Sequence, residues 1–438
     1  MGQVNADEVF FREWEGRAPG ESRSLARARA LAEILGVLSP DDFPGDCPDD
    51  FPGDCPDDSP GVPVLTVVGS KGKGTAATFA SAFLAAAGLR VCTVTSPGLR
   101  DSRDRIRVDG QAVSWDELAS LGGRLGRARA ALPPSGGYLS PSGLFTLAGV
   151  LHARETGADV IILEAGMGGR SDEASLFPPD VAALTPVFLE HAGILGDTAA
   201  DIALEKLGVA GARTRTVLSA PQSPEVAGVL AGQVEYVPPG GSGLPSDLLP
   251  MGLGRVSAEL GLAAARRLLG ILELPAGAGE PPAGRLRDVL SSITLPGRLS
   301  WHDVPGTATT LLVDSAVDRT GVAAALAAAR DRWGTVDHAV VCLPDHKDLD
   351  GAITELGDLP VTFVRLPLPH LRFTRALPPA WDVVGSGAVT PGSLATLGHR
   401  LVVLGTVYFT GLVLDAVDAD TGRLFSASAS PRPGGCGA

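Results

Sequence analysis

Residues 64–75 read Val-Leu-Thr-Val-Val-Gly-Ser-Lys-Gly-Lys-Gly-Thr, and this stretch limits the folds open to the chain. A β-branched run stops abruptly at Gly69. Three glycines (Gly69, Gly72, Gly74) then alternate with Ser70, Lys71 and Lys73, and Thr75 opens an alanine-rich segment that predicts a helix to Ala87, closed by Gly88. Strand, glycine loop and helix start follow one another directly. Glycines let backbone N–H groups approach a ligand closely, and the free N–H groups of a helix start favour phosphate. Lys73 is placed to reach outer phosphates and the Thr75 hydroxyl to ligate Mg²⁺. The spacing Gly-x-x-Gly-Lys-Gly-Thr is shorter than the full P-loop, which has four residues between its glycines and Ser/Thr directly after the lysine. A flexible Gly/Lys turn is the plainer alternative, but the flanking strand and helix favour phosphate binding.

Lysine usage sharpens the reading. Only four of the 36 basic residues are lysines: Lys71, Lys73, Lys206 and Lys347. Two of the four stand in this loop. A lysine is a compact point charge and an arginine a planar fork, so a tight site distinguishes them. Lys206 and Lys347 become suspects on that ground. The 438 residues predict two or three domains, and 45% hydrophobic with 20% charged content is that of a globular chain. No apolar run reaches the ~18 residues of a membrane span, and the first residues carry no basic and apolar leader, so a cytoplasmic location is expected. A net charge of −14 argues against a general nucleic-acid binder. Five scattered cysteines suggest reduced thiols rather than a disulfide framework.

Along the chain, Ser24–Leu35 has helical apolar spacing. Pro40–Cys47 is repeated as Pro48–Cys55, with a third copy begun at Pro56. Two cysteines without histidine make a poor zinc set, so a duplicated, disordered acidic insertion at about 40–60 is favoured over a metal or partner loop. Val91–Thr95 predicts a strand, Asp101–Gly110 a charged loop entering a short strand, and Leu144–Glu155 a helix. Asp159–Leu163 is a buried-strand run ending in Glu164 and the glycine-rich Gly166–Arg170. A carboxylate at the end of a parallel strand points into a ligand crevice. There it would hold Mg²⁺ or simply be held by turn amides. Val181–Pro186 is another strand, and His191 lies just past its end. A lone histidine is more often structural, but the rim it shares with Thr75 and Glu164 favours function. Ala199–Leu207 predicts a helix bearing Lys206, and Val256–Leu272 another. Strand and helix patterns restart after Pro296, from Thr310–Asp314 to Leu401–Leu404. The expected fold is α/β, divided into 1–295 and 296–438.

These motifs, in this order, resemble the folylpolyglutamate synthase/dihydrofolate synthase family of the Mur-ligase superfamily, over roughly Ser24–Gly411. Residues 68–75 resemble the family's Gly-Thr-Asn-Gly-Lys-Gly-Ser loop, and Glu164–Arg170 its Glu-x-Gly-x-Gly-Gly-Arg. Thr95–Pro97 and Asp104–Gly110 resemble the segment bordering the pterin-type substrate. His191 with Leu195-Gly196 stands at the Asp-His motif, Glu205-Lys206-x-Gly208 at Glu-Lys-Ala-Gly, and Leu295–Arg298 at the motif opening the second domain. Asp345–Asp348 resembles a later Asp-Lys-Asp motif.

The resemblance implies a P-loop nucleotide domain joined to a smaller Rossmann-like domain, with ATP between them. It implies an ADP-forming amide ligase that activates a carboxylate as an acyl phosphate and passes it to an amine. Gly69, Ser70, Lys71, Gly72, Lys73, Gly74 and Thr75, with Arg298 and Asp314, would bind ATP. Thr75, Glu164 and His191 would hold Mg²⁺, one ion or two. Lys73, His191 and Lys206 would be catalytic, with Lys206 carbamylated. Ser96, Pro97, Arg105 and Asp318 would meet the small-molecule substrates. A monomer or weak oligomer is expected, with no nucleic-acid or membrane partner. Two departures stand out: the family's Ser-Pro-His-Leu is Ser96-Pro97-Gly98-Leu99, and its Asp-Gly-Ala-His-Asn-Pro is Asp314-Ser-Ala-Val317-Asp318-Arg319. The family's helix asparagine is Glu259. An altered amine or carboxylate site follows from these changes, for instance in a ligase acting on a non-folate acid or a non-glutamate amine. A non-catalytic nucleotide-binding subunit is the alternative from another class. An unrelated P-loop hydrolase or kinase would leave Lys206 and Leu295–Arg298 unexplained.

Overall fold

The computed structural model describes residues 6–38, 61–252, 254–275 and 277–427. The acidic repeat, with Cys47 and Cys55, and Cys436 lie outside the described residues. Among the described residues two sheets carry the architecture. The first has eight strands: β1 Val64–Val68, β2 Val91–Val94, β3 Ile106–Val108, β4 Gln111–Ala112, β5 Val160–Glu164, β6 Val181–Leu184, β7 Thr216–Ser219 and β8 Glu235–Tyr236. Their spatial order is β4-β3-β2-β5-β1-β6-β7-β8. Pairing is parallel from β2 through β8, with β3 and β4 antiparallel at one edge. The second has six strands: β9 Ser300–Asp303, β10 Thr310–Asp314, β11 His338–Cys342, β12 Val361–Arg365, β13 Asp382–Gly385 and β14 Arg400–Gly405, ordered β13-β12-β11-β14-β10-β9. Only β9 there runs antiparallel. Both sheets are flanked by helices, as an α/β chain requires.

Among the described residues nine helices accompany the first sheet: α1 Ala6–Gly16, α2 Leu25–Ile34, α3 Lys73–Ala86, α4 Trp115–Ala130, α5 Pro141–Glu155, α6 Ala199–Leu207, α7 Pro224–Val229, α8 Gly254–Leu269 and α9 Ala283–Ser291. Four accompany the second: α10 Arg319–Trp333, α11 Leu349–Leu356, α12 Pro391–Leu397 and α13 Val407–Ala416. β1 is buried at every position, which is why its apolar run does not alternate. It lies between β5 and β6, so the chain leaves β1 toward one side of the sheet and later returns to the other. The crevice at the carboxyl ends of β1, β5 and β6 is the switch point where doubly wound sheets bind ligands.

The helix after the glycine loop begins at Lys73 rather than Thr75. Gly72 caps it in a left-handed conformation, so Lys73, Gly74 and Thr75 all belong to the first turn. The N-terminal helix α1 has no counterpart in the sequence reading. It packs on the first domain by stacking Phe10 on Phe145 at 4.0 Å. The chain also crosses back. After α13, residues 420–425 return to the first sheet, where Leu424 N–H donates to Gly110 C=O at 3.0 Å and Phe425 is buried among core side chains of that domain. No helix among the described residues is long and apolar enough to cross a membrane.

Candidate active site

β1 delivers the chain into a loop that only glycine can follow at two places. Gly69 has φ +134° and faces Thr185, whose Oγ1 would lie 2.0 Å from an added Cβ. Gly72 has φ +85° and faces Ser257 Oγ at 1.9 Å from the same kind of atom. Side chains at either position would force the loop off the sheet end. Gly72 offers no side-chain cap, so the first-turn N–H groups of α3 remain for a ligand, in the geometry that binds phosphate.

Two lysines converge on this loop. Lys73 Nζ donates to Gly69 C=O at 3.0 Å, and Lys206 Nζ donates to the same carbonyl at 2.9 Å. Lys206 projects from α6, is 2% exposed, and pairs with Glu190 at 3.0 Å. Burial lowers the basicity of Lys206 and the Lys73 charge lowers it further, with Glu190 opposing. Burial works against the Glu190 carboxylate too, yet Lys206 and Lys73 outweigh it and hold Glu190 below the usual carboxylate range. Glu190 was not singled out from the sequence. The available signal was the need of a buried lysine for a counter-charge, together with the position of Glu190 next to His191.

Glu164 ends β5 and is buried. It accepts a hydrogen bond from Ser96 N–H at 3.2 Å. Burial raises its pKa, while the charges of Lys73, Arg298 and Arg105 oppose the rise. A buried carboxylate so placed suits a divalent ion that takes one or two protein oxygens and completes its shell with phosphate and water, and Thr75, in the first turn of α3, is buried as well. Among the described residues no group of three or more His, Cys, Asp or Glu could hold a metal alone. Thr75 and Glu164 therefore fit Mg²⁺ only as part of a shared shell. His191 stands at the exposed rim with φ +49°. Partial shielding lowers its basicity; Glu190 opposes, and Lys347, Lys206 and Lys73 add to the lowering. Its ring thus belongs electrostatically with the lysines.

The second domain reaches the same place. The Arg298 guanidinium lies against the first turn of α3, with Nη2 2.7 Å from where a Gly74 Cβ would be. Asp314 ends β10 and accepts from Leu299 N–H at 2.7 Å. Burial pushes its carboxyl up to about 6, against hydrogen bonds and the charges of Arg298 and Lys71. Asp318 caps α10 through Gly321 N–H at 2.9 Å and forms an ion pair with Lys71. Asp348 accepts from Arg319 N–H at 3.0 Å, and the neighbouring Lys347 is influenced by Glu190. All four lysines of the chain thus surround one cleft. Ser70 Oγ accepts from Phe188 N–H at 3.0 Å, fixing the rear of the loop.

On the substrate side, Arg105 is 7% exposed. It reaches Ser96 Oγ at 3.3 Å and stacks 4.6 Å from the Phe145 ring centre. Burial brings its pKa down to about 10, with Tyr408, Glu164 and Asp7 opposing. The Ser96-Pro97 bond is cis, and Pro97 leads into Gly98. A Cβ at Gly98 would stand 2.5 Å from Asp101 C=O. The local backbone therefore excludes the histidine that the family pattern has there. Glu259, at the position of the family's helix asparagine, is buried and accepts from Gly240 N–H at 3.0 Å.

The glycine loop and the two sheets define an α/β protein with a cleft at the helix start. Part of the chain is similar in sequence to folylpolyglutamate and dihydrofolate synthases. It is 37% identical over 155 residues to a probable bifunctional folylpolyglutamate synthase/dihydropteroate synthase of Haloferax volcanii, covering 35% of this chain and 18% of that one. It is 30% identical over 200 residues to the dihydrofolate synthase/folylpolyglutamate synthase of Escherichia coli, covering 46% of this chain and 42% of that one. The chain thus matches less than half the length of these relatives. Its fold extends further. The bifunctional synthase of Yersinia pestis, solved with AMPPNP and a manganese ion, superposes over 95% of this chain and 99% of its own, with TM-score 0.71 and 22% identity. No family model matches the chain.

Proposed function

We propose that this chain is an ATP-dependent ligase that joins a carboxylic acid to an amine. The observation that carries the proposal is the node at Gly69. There Lys73 and Lys206 share one carbonyl beside Glu190 and Glu164, while Arg298 arrives from the second domain onto the same helix start. A triphosphate in the loop would meet the α3 amides and Lys73. An oxygen of the acid substrate attacks the γ-phosphorus, ADP leaves, and an acyl phosphate forms. The amine then attacks the acyl carbon, phosphate departs and the ammonium proton is lost. Lys73 and Arg298 offset the charge that develops during phosphoryl transfer. Thr75 and Glu164 would hold Mg²⁺, which would supply charge neutralisation during phosphoryl transfer. A lysine of lowered basicity is more often the free amine that takes up CO₂, so Lys206 suits carbamylation, and a carbamate there would add a second anionic ligand. His191, at the rim, would face the incoming groups.

The acid would lie along Ser96, Pro97 and Arg105, where a buried guanidinium with a single neutral hydrogen bond suits an anionic oxygen. The folate-type acid that the relatives' names suggest is the first candidate. The closed backbone at Gly98 and the replacements at Val317–Arg319 favour a different acid or amine as strongly. Incubation with ATP, Mg²⁺ and panels of pteroates, folates and amino acids tests the proposal. ADP and a new amide mass are expected only when both substrates are present. Neither product with any pair would leave the nucleotide-binding subunit as the better reading. We place the division between the domains near Pro296, with residues 420–425 serving the first.

A further inference from the structure

We propose that Lys71 and Asp318 form a charge-paired clasp that seats the second domain against the nucleotide loop. Lys71 is then a positioning residue rather than a phosphate ligand. The inference deepens the ligase proposal and rests on it for the identity of the loop's occupant.

The two residues lie 247 positions apart, on different domains, and their charged groups meet. Each is a departure from the motifs quoted above. Lys71 stands where the loop pattern has asparagine, and Asp318 where the second-domain pattern has asparagine. Opposite charges therefore appear at the two positions that face each other. Either charge alone would be ill placed. Burial and Lys347 already depress the Lys71 ammonium, and carboxylates, among them Asp314 and Glu190, sustain it. The Asp318 carboxylate also caps α10, so the pair links the start of one helix to the loop before another. Phe188, whose backbone is bonded to Ser70, sets its ring 5.8 Å from Lys71 Nζ and limits the directions the ammonium can take.

The rest of the junction explains what such a pair would do. Its opposite edge is built of close backbone contact. A Cβ at Gly411 would lie 2.0 Å from Leu99 C=O. Arg100 bonds Asp415 at 2.9 Å. That edge joins the two units by backbone approach as well as by side chains, with Arg100 also donating to Ala419 C=O. The Lys71 and Asp318 side chains are 45% and 32% exposed, and an ion pair of that exposure is weak and salt-sensitive. One edge holds and the other releases. Rotation about the first would separate Lys71 from Asp318 and draw Arg298 and Asp314 off the loop.

The test uses the full chain and a double-mutant cycle of Lys71→Asn, Asp318→Asn and the two combined. Asparagine keeps the helix cap at 318 and restores the residues of the family pattern. Small-angle X-ray scattering without nucleotide, at low and high salt, reads domain separation; calorimetry reads ADP binding. Each single variant is expected to enlarge the radius of gyration and to weaken ADP binding about three- to tenfold. The combined variant should be no weaker than either single one, and high salt should expand the parent but not the variants. Losses that multiply would overturn the clasp. So would scattering identical to the parent in all variants, or Lys71→Asn abolishing ADP binding without expansion, which marks a direct phosphate contact. Failure of the ligase proposal shows separately, as no ADP and no amide from the parent while the scattering differences persist.

Discussion

The node at Gly69 and the turn at Asp314–Arg319 face one cleft and are built in contrasting ways. At Gly69 the charges meet on one backbone oxygen: Lys206, 2% exposed, and Lys73 both donate to it, and Glu190 pairs with Lys206. At Asp314–Arg319 the carboxylates are occupied with backbone: Asp314 holds Leu299 N–H, Asp318 holds Gly321 N–H, and Asp348 holds Arg319 N–H. The first region gathers opposite charges around one backbone oxygen. The second ties its carboxylates to backbone N–H groups and so fixes a loop shape, with Asp314 buried and Asp318 half-exposed.

That contrast can be broken most directly at Lys73. Lys73→Ala should reduce ADP release by about a thousandfold or more, because the loop loses its side-chain charge during phosphoryl transfer; a loss under tenfold would place the catalytic charge elsewhere. Lys206→Arg should cost about a hundredfold in turnover while circular dichroism shows the chain folded. The planar fork cannot share the Gly69 carbonyl and Glu190 in the same enclosed slot, nor take up CO₂. Full activity in that variant would show that the node at Gly69 tolerates exchange as readily as the turn at Asp314–Arg319.

Two smaller effects sharpen the comparison. Gly98→His restores the family pattern, but should lower stability by about 1–3 kcal/mol in a urea titration, since the side chain must displace the Asp101 carbonyl. Asp314→Asn concerns pH. The folded carboxyl titrates at about 6 against an ordinary 3.8, so the folded chain binds that proton more tightly than the unfolded one. The stability this confers is present at low pH and is lost as pH rises from about 4 through 6. Asp314→Asn should flatten that drift and stabilise the neutral-pH protein by about 1 kcal/mol, after allowance for partial exposure. Thermal melts of parent and variant between pH 4 and 8 check it. Parallel profiles would mean that Asp314 is ionised throughout.

Much of the first region was legible because its signals are local. Glycine spacing, a β-branched run and a scarce residue type all fall within a dozen positions at 64–75, and Glu164 announces itself as a carboxylate ending an apolar strand. Lysine scarcity carried furthest, since it singled out Lys347, which lies at the same cleft, before any motif was matched. What was missed is long-range or conformational. Glu190 gains its role only when α6 brings Lys206 to it. Lys71 and Asp318 meet only after two sheets have formed. The exclusion of a side chain at Gly98 follows from one carbonyl three residues away, which no periodicity reports. The α1 helix was passed over because its meaning lies in Phe10 against Phe145, a contact between distant segments.

The return of residues 420–425 to the first sheet has a consequence for anyone dividing this protein. Phe425 plugs the Ala- and Leu-rich core around α3 and α8, and Leu424 and Thr294 are joined by a backbone hydrogen bond of 2.8 Å. A fragment stopping near Pro296 would be left with an open socket where that ring belongs. Topologically the smaller unit is spliced into the larger one, tied at entrance and exit, so a workable dissection would keep both ties and bridge the gap between them with a short synthetic linker.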